Sequence, residues 1–254
     1  MLQLKRVSQI TLLHSPALDD IPGIVHAFST RRAERQDFTL GSPDGSNPLV
    51  QMNRSRFLAA AGMPGWPILK LQQTHSGVVQ EMTDTRSANE PAAADAAVTQ
   101  LRGATLGVQT ADCVPILIAD RHARAVAAVH AGWRGTAARI AWNAVRRLVE
   151  VYGVDPSDLT AVIGPHNGVC CYEVGEEVAD AFRDGDAVVR KREWVKPHLD
   201  QARANRKQLL EAGIPPEQVV ISSLCTQCRP DLFFSHRREG PRAGRLLSVI
   251  GIAP

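Results

Sequence analysis

The segment ADCVPILIADRHARAVAAVHAGWRG, residues 111–135, is almost continuously apolar, yet it opens beside a cysteine and closes on a histidine next to Gly-Trp-Arg-Gly. Two apolar runs, VPILIA and RAVAAVH, flank the polar stretch DRHA, which is the pattern of a hairpin buried on both faces. With Asp120 to Ala123 as a four-residue turn, Ala119 faces Arg124, and counting outward places Cys113 opposite His130. Opposed residues of an antiparallel pair share a face with β-carbons about 4.5–5.5 Å apart, so a thiolate and an imidazole there can hold one ligand. A slip of one residue would send the two side chains to opposite faces. Taken alone, the pair fits a core thiol and a hydrogen-bonded histidine better than a ligand pair.

A third donor lies upstream. In KLQQTHSGVV, His75 follows an apolar run and precedes the turn signal Ser76-Gly77, the exit of a strand into a loop. Downstream, AGWRGTAARIAWNAVRRLVEVYG reads as a glycine-rich turn feeding a helix, with Thr136 as its cap and Ile140, Ala144, Leu148 and Val151 on one stripe. Such a helix start collects free N–H groups and a positive dipole end, and Arg134 adds a charged fork, so an anion is expected there. Helices are also expected from Asn47 (cap) and Pro48 to Gly62 and from Asp200 to Gly213, with strands in ILKLQQ, ATLGVQT, LTAVIG and QVVISS.

Composition bounds the function. The chain has 254 residues, 44% hydrophobic and 22% charged, with a net charge of +3 and no run of basic residues, which argues against a nucleic-acid partner. No stretch has the roughly 18 apolar residues of a membrane span, and the mixed N-terminal segment lacks the apolar core of a signal peptide, so a cytoplasmic protein is expected. Five cysteines, an odd number, favour reduced thiols, metal ligands or catalysis. Cys225 and Cys228 form C-x-x-C, but adjacent Cys170 and Cys171 lack the spacing of a second metal-binding pair, so all four read as core thiols. No linker or repeat divides residues 1–254, which read as one domain.

The motifs FSTR from Phe28, QTHS around His75, DAAVT from Asp95, TADCVPIL around Cys113, HAGWRG from His130, IGP and CYEV between Ile163 and Val174, HLD and AN near His198, and CTQC with FFSHRREG from Cys225 occur in order. Together they resemble the YfiH family, called laccase-like or multicopper polyphenol oxidase and described as purine nucleoside phosphorylases. The resemblance implies an α+β, four-layer α/β/β/α sandwich with mixed sheets, similar to the cytotoxic-necrotizing-factor-like cysteine hydrolases. It implies a zinc-type site on His75, Cys113 and His130, with copper an alternative by ligand type. It also implies phosphorolysis of adenosine, inosine, guanosine and methylthioadenosine, with adenosine deamination beside it, so the partners are purine nucleosides and phosphate.

Catalytic candidates are then Cys113, His75, His130 and Arg134. Phosphorolysis needs cationic groups against the anion, for which Arg134, Arg237 and Arg238 are candidates, and polar groups near the base, for which Asp112, Glu173 and His236 are. The motifs further place Arg31, Gln73, Tyr172 and Asn205 among the substrate contacts. The sequence departs from the family after FSTR, where RAERQDF replaces a Gly-Gly turn, and at His166, expected to be a solvated loop histidine. Other readings are a cysteine hydrolase with Cys113 as nucleophile and His130 as base, acting on peptidoglycan precursors, and a metal-stabilised nucleoside-binding protein. Laccase chemistry fits poorly, because a trinuclear copper cluster needs paired histidines and the chain has no H-x-H.

Overall fold

The computed structural model describes residues 1–34, 36–41, 48–183 and 185–254. Strands Gln3–Val7, Ile10–His14, Ile24–Ala33, Leu246–Ile252, Thr105–Thr110 and Ile68–Leu69 bond in that order into one sheet, with Gln36–Asp37 beside Ile24–Ala33. Strands Val219–Ile221, Leu159–Ile163, Val114–Asp120, Val126–Ala131, Ala96–Thr99 and Val79–Glu81 form the second. Each sheet is mixed, because Ile68–Leu69, Val219–Ile221 and Val79–Glu81 run parallel to their neighbours while the others pair antiparallel.

Strand alternation sorts the side chains into layers. From Val114–Asp120, Leu117 and Ala119 join Phe28, Leu106, Val108 and Ile250 in the core between the sheets. Ile116 and Ile118 point the other way, to Ile140, Ala144, Leu148 and Leu209 of helices Ile140–Tyr152 and Gln201–Glu211. Outside the first sheet, Leu12, Ala27 and Val249 pack under Phe57 and Leu58 of helix Pro48–Ala60. This is the four-layer α/β/β/α arrangement with mixed sheets. Every residue of the two hairpin strands is buried, so truncating Leu117 to Ala removes about 2–5 kcal/mol.

Helices Pro48–Ala60 and Gln201–Glu211 match the sequence reading, with Asp200 capping the second by accepting from the Arg203 N–H at 2.9 Å. The cap expected at Asn47 lies outside the described residues. Two expectations need correction. The hairpin turn is wider than four residues: Ala119 faces Val126 and Pro115 faces His130, so the register is two residues from that counted on the sequence. Asp120 sets this turn, its carboxylate accepting from the Arg124 N–H and guanidinium while its own N–H bonds the Ala125 carbonyl. The helix after Gly132 is also broken in two, a short turn Trp133–Ala137 and then Ile140–Tyr152, separated at Arg139 in the left-handed region. Thr136 is therefore no cap but a buried residue whose hydroxyl accepts from Asn205, and the buried stripe is Ile140, Ala141, Ala144, Val145 and Leu148.

Candidate functional site

A register offset of two residues keeps the parity of the pleat, so Cys113 and His130 still share a face, now as diagonal neighbours. His75 joins them from the loop after strand Leu71–Gln72. Its Nε2 lies 3.9 Å from the Cys113 sulfur, and its ring meets that of His130 edge-on with centroids 4.9 Å apart. One donor atom from each of the three residues lies within 4.8 Å of the others. Nitrogen and sulfur ligands on one tetrahedral zinc are about 3.6 Å apart, so the three fit a single soft cation after small side-chain rotations.

The backbone works to aim these groups. His75 and Asp112 both have positive φ, 59° and 94°, which costs a non-glycine residue on the order of 1–3 kcal/mol each and persists only where surrounding bonds enforce it. Asp112 is held by Thr226 Oγ1 and the Arg237 N–H on its carboxylate, and by the Asn167 N–H on its carbonyl, and it sets the direction of Cys113. Gly132 makes room: a Cβ there would sit 2.7 Å from His75 Cδ2 and 3.3 Å from the Cys113 sulfur.

Asp95 organises the centre, a role that the sequence reading did not assign. It is fully buried, and its carboxylate accepts from the N–H groups of Thr74, His75 and Ser76, from the Thr74 and Ser76 hydroxyls, and from His130 Nδ1 at 2.8 Å. Burial alone would raise its pKa, but bonds from His130 and Ser76 outweigh burial and hold it well below the carboxylate range. An ionised carboxylate can only accept, so His130 carries its proton on Nδ1 and turns Nε2 toward Cys113.

Without a cation the cysteine and histidine polarise one another. Burial opposes charge on Cys113, but His130 and His75 bring its pKa down to about 6. Burial likewise opposes charge on His130, which Cys113 and Asp95 raise to about 9. Thiolate, imidazolium and orienting carboxylate are thus also in order for thiolate chemistry.

The three donors open into a cavity of about 690 Å³ whose wall also includes Gln73, Gln109, Asp112, Asn167, Tyr172, His236, Arg237 and Arg245. Of the residues expected from sequence, Gln73, Asp112, Tyr172, His236 and Arg237 therefore reach it. The Gln73 amide is spent on Gln109, donating to its carbonyl and accepting its N–H, both at 2.8 Å. Burial pushes the Tyr172 hydroxyl up to about 12, so it remains a hydrogen-bond donor. Arg237 lies over the Tyr172 ring and donates to the Glu173 carbonyl. Arg245 donates to the Ala243 and Gly244 carbonyls, and neither guanidinium has a carboxylate partner among the described residues.

Other expected contacts go elsewhere. Arg31 is a structural clamp, bidentate to Asp37 and bonded to Glu239. Arg238 binds the carbonyls of Thr226, Gln227 and Phe233 and the carboxylate of Glu239. Asn205 is fully buried against Thr136 and Gln201, and the Glu173 carboxylate pairs with Lys196. Arg134, expected to hold an anion, stacks on Trp133, exposed and outside the cavity wall, whereas Arg237 and Arg245 line that wall. His166 is buried and bonded to the Gly164 carbonyl rather than solvated. Asn167 and Arg245 carry no local motif that marks them as cavity residues.

A family profile described as multi-copper polyphenol oxidoreductase laccase matches residues 26–253. A purine nucleoside phosphorylase of Bacteroides thetaiotaomicron is 43% identical over 163 residues, 62% of this chain and 60% of that protein, so the match spans under two thirds of the relative. Adenosine deaminase RL5, from an unknown prokaryotic organism, is 41% identical over 191 residues, 70% of this chain and 72% of that protein. The crystal structure of YlmD from Geobacillus stearothermophilus superposes with a TM-score of 0.88 at 30% identity, covering 99% of both chains. With the profile spanning nearly the whole chain and the solved fold reproduced in full, the chain belongs to the family of multi-copper polyphenol oxidoreductase laccases, the YfiH family.

Proposed function

We propose that this chain is a zinc-dependent purine nucleoside phosphorylase, with adenosine deamination as a companion reaction. The observation that carries the reading is one cavity joining three soft donors to two guanidinium groups that have no carboxylate partner among the described residues. The names of the relatives, a purine nucleoside phosphorylase and an adenosine deaminase, support the same pair of reactions.

His75, Cys113 and His130 would hold the zinc, which supplies Lewis acidity and acidifies water when bound with one position open. Asp95 fixes the His130 tautomer so that Nε2 presents a lone pair. Arg237 and Arg245 hold the phosphate dianion by charge-assisted bonds and orient it toward C1′ of the ribose. A phosphate oxygen then bonds to C1′ as the C1′–N9 bond breaks, and the departing purine takes a proton. His236 is the cavity's candidate donor of that proton, and the buried Asn167 amide nitrogen, without a partner among the described residues, is the candidate donor to a purine acceptor.

The family's oxidase description fits the cavity less well. Its described wall has only His75, His130 and His236, too few histidines for a trinuclear copper cluster. A cysteine hydrolase is the second reading, favoured by the lowered Cys113 and raised His130 pKa values. Free base formed from nucleosides only when phosphate is present, followed by chromatography, supports phosphorolysis; base release without phosphate refutes it. Cys113→Ala separates the cysteine's roles: a ligand loses zinc and turnover together, whereas a nucleophile loses turnover with zinc retained.

A further inference from the structure

The four cysteines left over from the candidate site come together. Cys170, Cys171, Cys225 and Cys228 present their sulfurs within 4.8 Å of one another, with Cys228 at 3.6 Å from Cys170 and 3.3 Å from Cys171. Four thiolates on a tetrahedral zinc have sulfur–sulfur edges of about 3.8 Å, so the cluster is already close to the size of one such shell.

The backbone explains how adjacent cysteines both reach it. The N–H groups of Cys171 and Tyr172 each bond the Gly168 carbonyl at 2.9 Å, closing a tight turn. In that turn successive side chains no longer point to opposite sides as they would on a strand, so Cys170 and Cys171 face the same pair of thiols. The other half is the turn Cys225-Thr226-Gln227-Cys228. The Gly168 N–H donates to the Cys225 sulfur at 3.3 Å, and the N–H groups of Gln227 and Cys228 also point at it. Several amide donors converging on one sulfur favour the thiolate, the form that binds metal.

We propose that these four cysteines form a second metal site, a closed tetrathiolate centre for a thiophilic divalent cation of the zinc class. Four protein ligands leave no open position, so the role is structural. Binding breaks four S–H bonds, forms four metal–sulfur bonds and releases the protons to solvent, with no change of oxidation state. The centre ties the turn at 168–172 to that at 225–228. Asn167 and Tyr172 of the cavity wall adjoin the first, and the second leads to His236 and Arg237, so this metal would rigidify one wall of the cavity without touching substrate. The inference does not depend on the proposed reaction.

The test is metal content and cadmium titration of the full chain, purified under reducing conditions. Wild type should carry two equivalents of zinc, His75→Ala should keep one, and adding Cys228→Ser to His75→Ala should lose that one. Should Cys228→Ser fold poorly, Cys170→Ser at an exposed position serves in its place. Cadmium added to metal-free His75→Ala should give the intense ultraviolet thiolate-to-metal band of four thiolates, several times that of a centre with one. Two results would overturn the proposal: a zinc content that neither cysteine variant lowers, or a native mass lower by two hydrogens with Cys171 and Cys228 joined as a disulfide. A full equivalent lost on Cys228→Ser but none on His75→Ala would uphold this site and remove metal from the catalytic one.

Discussion

Asp95→Asn tests the organisation of the candidate site most directly. One carboxylate oxygen accepts from the His75 N–H and His130 Nδ1, the other from the N–H and hydroxyl groups of Thr74 and Ser76. An asparagine has one acceptor oxygen, so one of these sets must face an NH₂ group. If it faces Thr74 and Ser76, their hydroxyls can rotate to accept, but two N–H donors lose their partner. If it faces His75 and His130, only the His75 N–H is orphaned, because His130 can switch tautomer and accept on Nδ1. A buried unsatisfied donor costs about 1–3 kcal/mol, so the second orientation is preferred by about that amount.

That choice puts the His130 proton on Nε2, removing the lone pair that faces Cys113. Loss of such a supporting partner lowers metal affinity or activity about 10- to 100-fold, and reversing a catalytic tautomer by the same exchange costs about 10⁴-fold in a Ser-His-Asp triad. Asp95→Asn should therefore fold with a loss of about 1–3 kcal/mol while zinc affinity falls about 10- to 100-fold and turnover by roughly 10²- to 10⁴-fold. Chelator competition gives the affinity, denaturant unfolding the stability, and nitrogen NMR of the imidazole the tautomer. Ser76→Ala, which removes a single hydroxyl bond, is the control, with little effect on zinc. Wild-type zinc affinity and turnover in Asp95→Asn, with the proton still on Nδ1, would refute the reasoning.

Three further outcomes are expected. Gly132 has φ −73° and ψ 171°, which alanine adopts freely, so Gly132→Ala acts through its Cβ against His75 and the Cys113 sulfur and should lower zinc affinity at least 10-fold with a small change in unfolding temperature, read by metal competition and calorimetry. Arg237→Ala and Arg245→Ala should each raise the phosphate KM roughly 10- to 100-fold, since a charge-assisted bond is worth about 1.5–3 kcal/mol, while exposed Arg134→Ala stays near wild type in the same assay. Burial, aided by the charge of His14, lowers the His26 pKa from 6.5 to about 3, whereas half-exposed Asp19 nearby offsets little; the unfolded chain thus binds more protons between those values and stability is lost as pH falls through that window. His26→Gln should lose roughly 2–3 kcal/mol less than wild type between pH 7.5 and 4.5, measured by urea unfolding.

The layers of the fold were legible because burial leaves a periodic mark. VPILIA and RAVAAVH read as buried strands, and the caps and stops of helices Pro48–Ala60 and Gln201–Glu211 follow local chemistry at Pro48, Asp200, Gly62 and Gly213. The break between Trp133–Ala137 and Ile140–Tyr152 was not legible, because the sequence there has no proline or glycine at Arg139 to mark it. It arises from packing: the carbonyl of Ser76 would lie 2.9 Å from a Cβ at Gly135 and that of Ala138 2.8 Å from one at Gly77, so the His75 loop and this turn sit backbone to backbone.

The site was legible as far as parity carries it. The turn from Asp120 was misjudged, yet the error was two residues, and a pleat of period two returns Cys113 and His130 to the same face after such an offset. An odd error would have put them on opposite faces. Groups whose role depends on partners distant in sequence leave no such periodic trace. Arg31 and Arg237 look alike along the chain, but Asp37 and Glu239 neutralise the first, while the Asp112 carboxylate takes the backbone N–H of Arg237, whose guanidinium bonds the Glu173 carbonyl and has no carboxylate partner among the described residues. Asp95 is the extreme case: a lone acid ahead of an apolar strand, its six donors come from two segments that only the tertiary fold brings together, and its importance is a property of that junction rather than of its sequence neighbours.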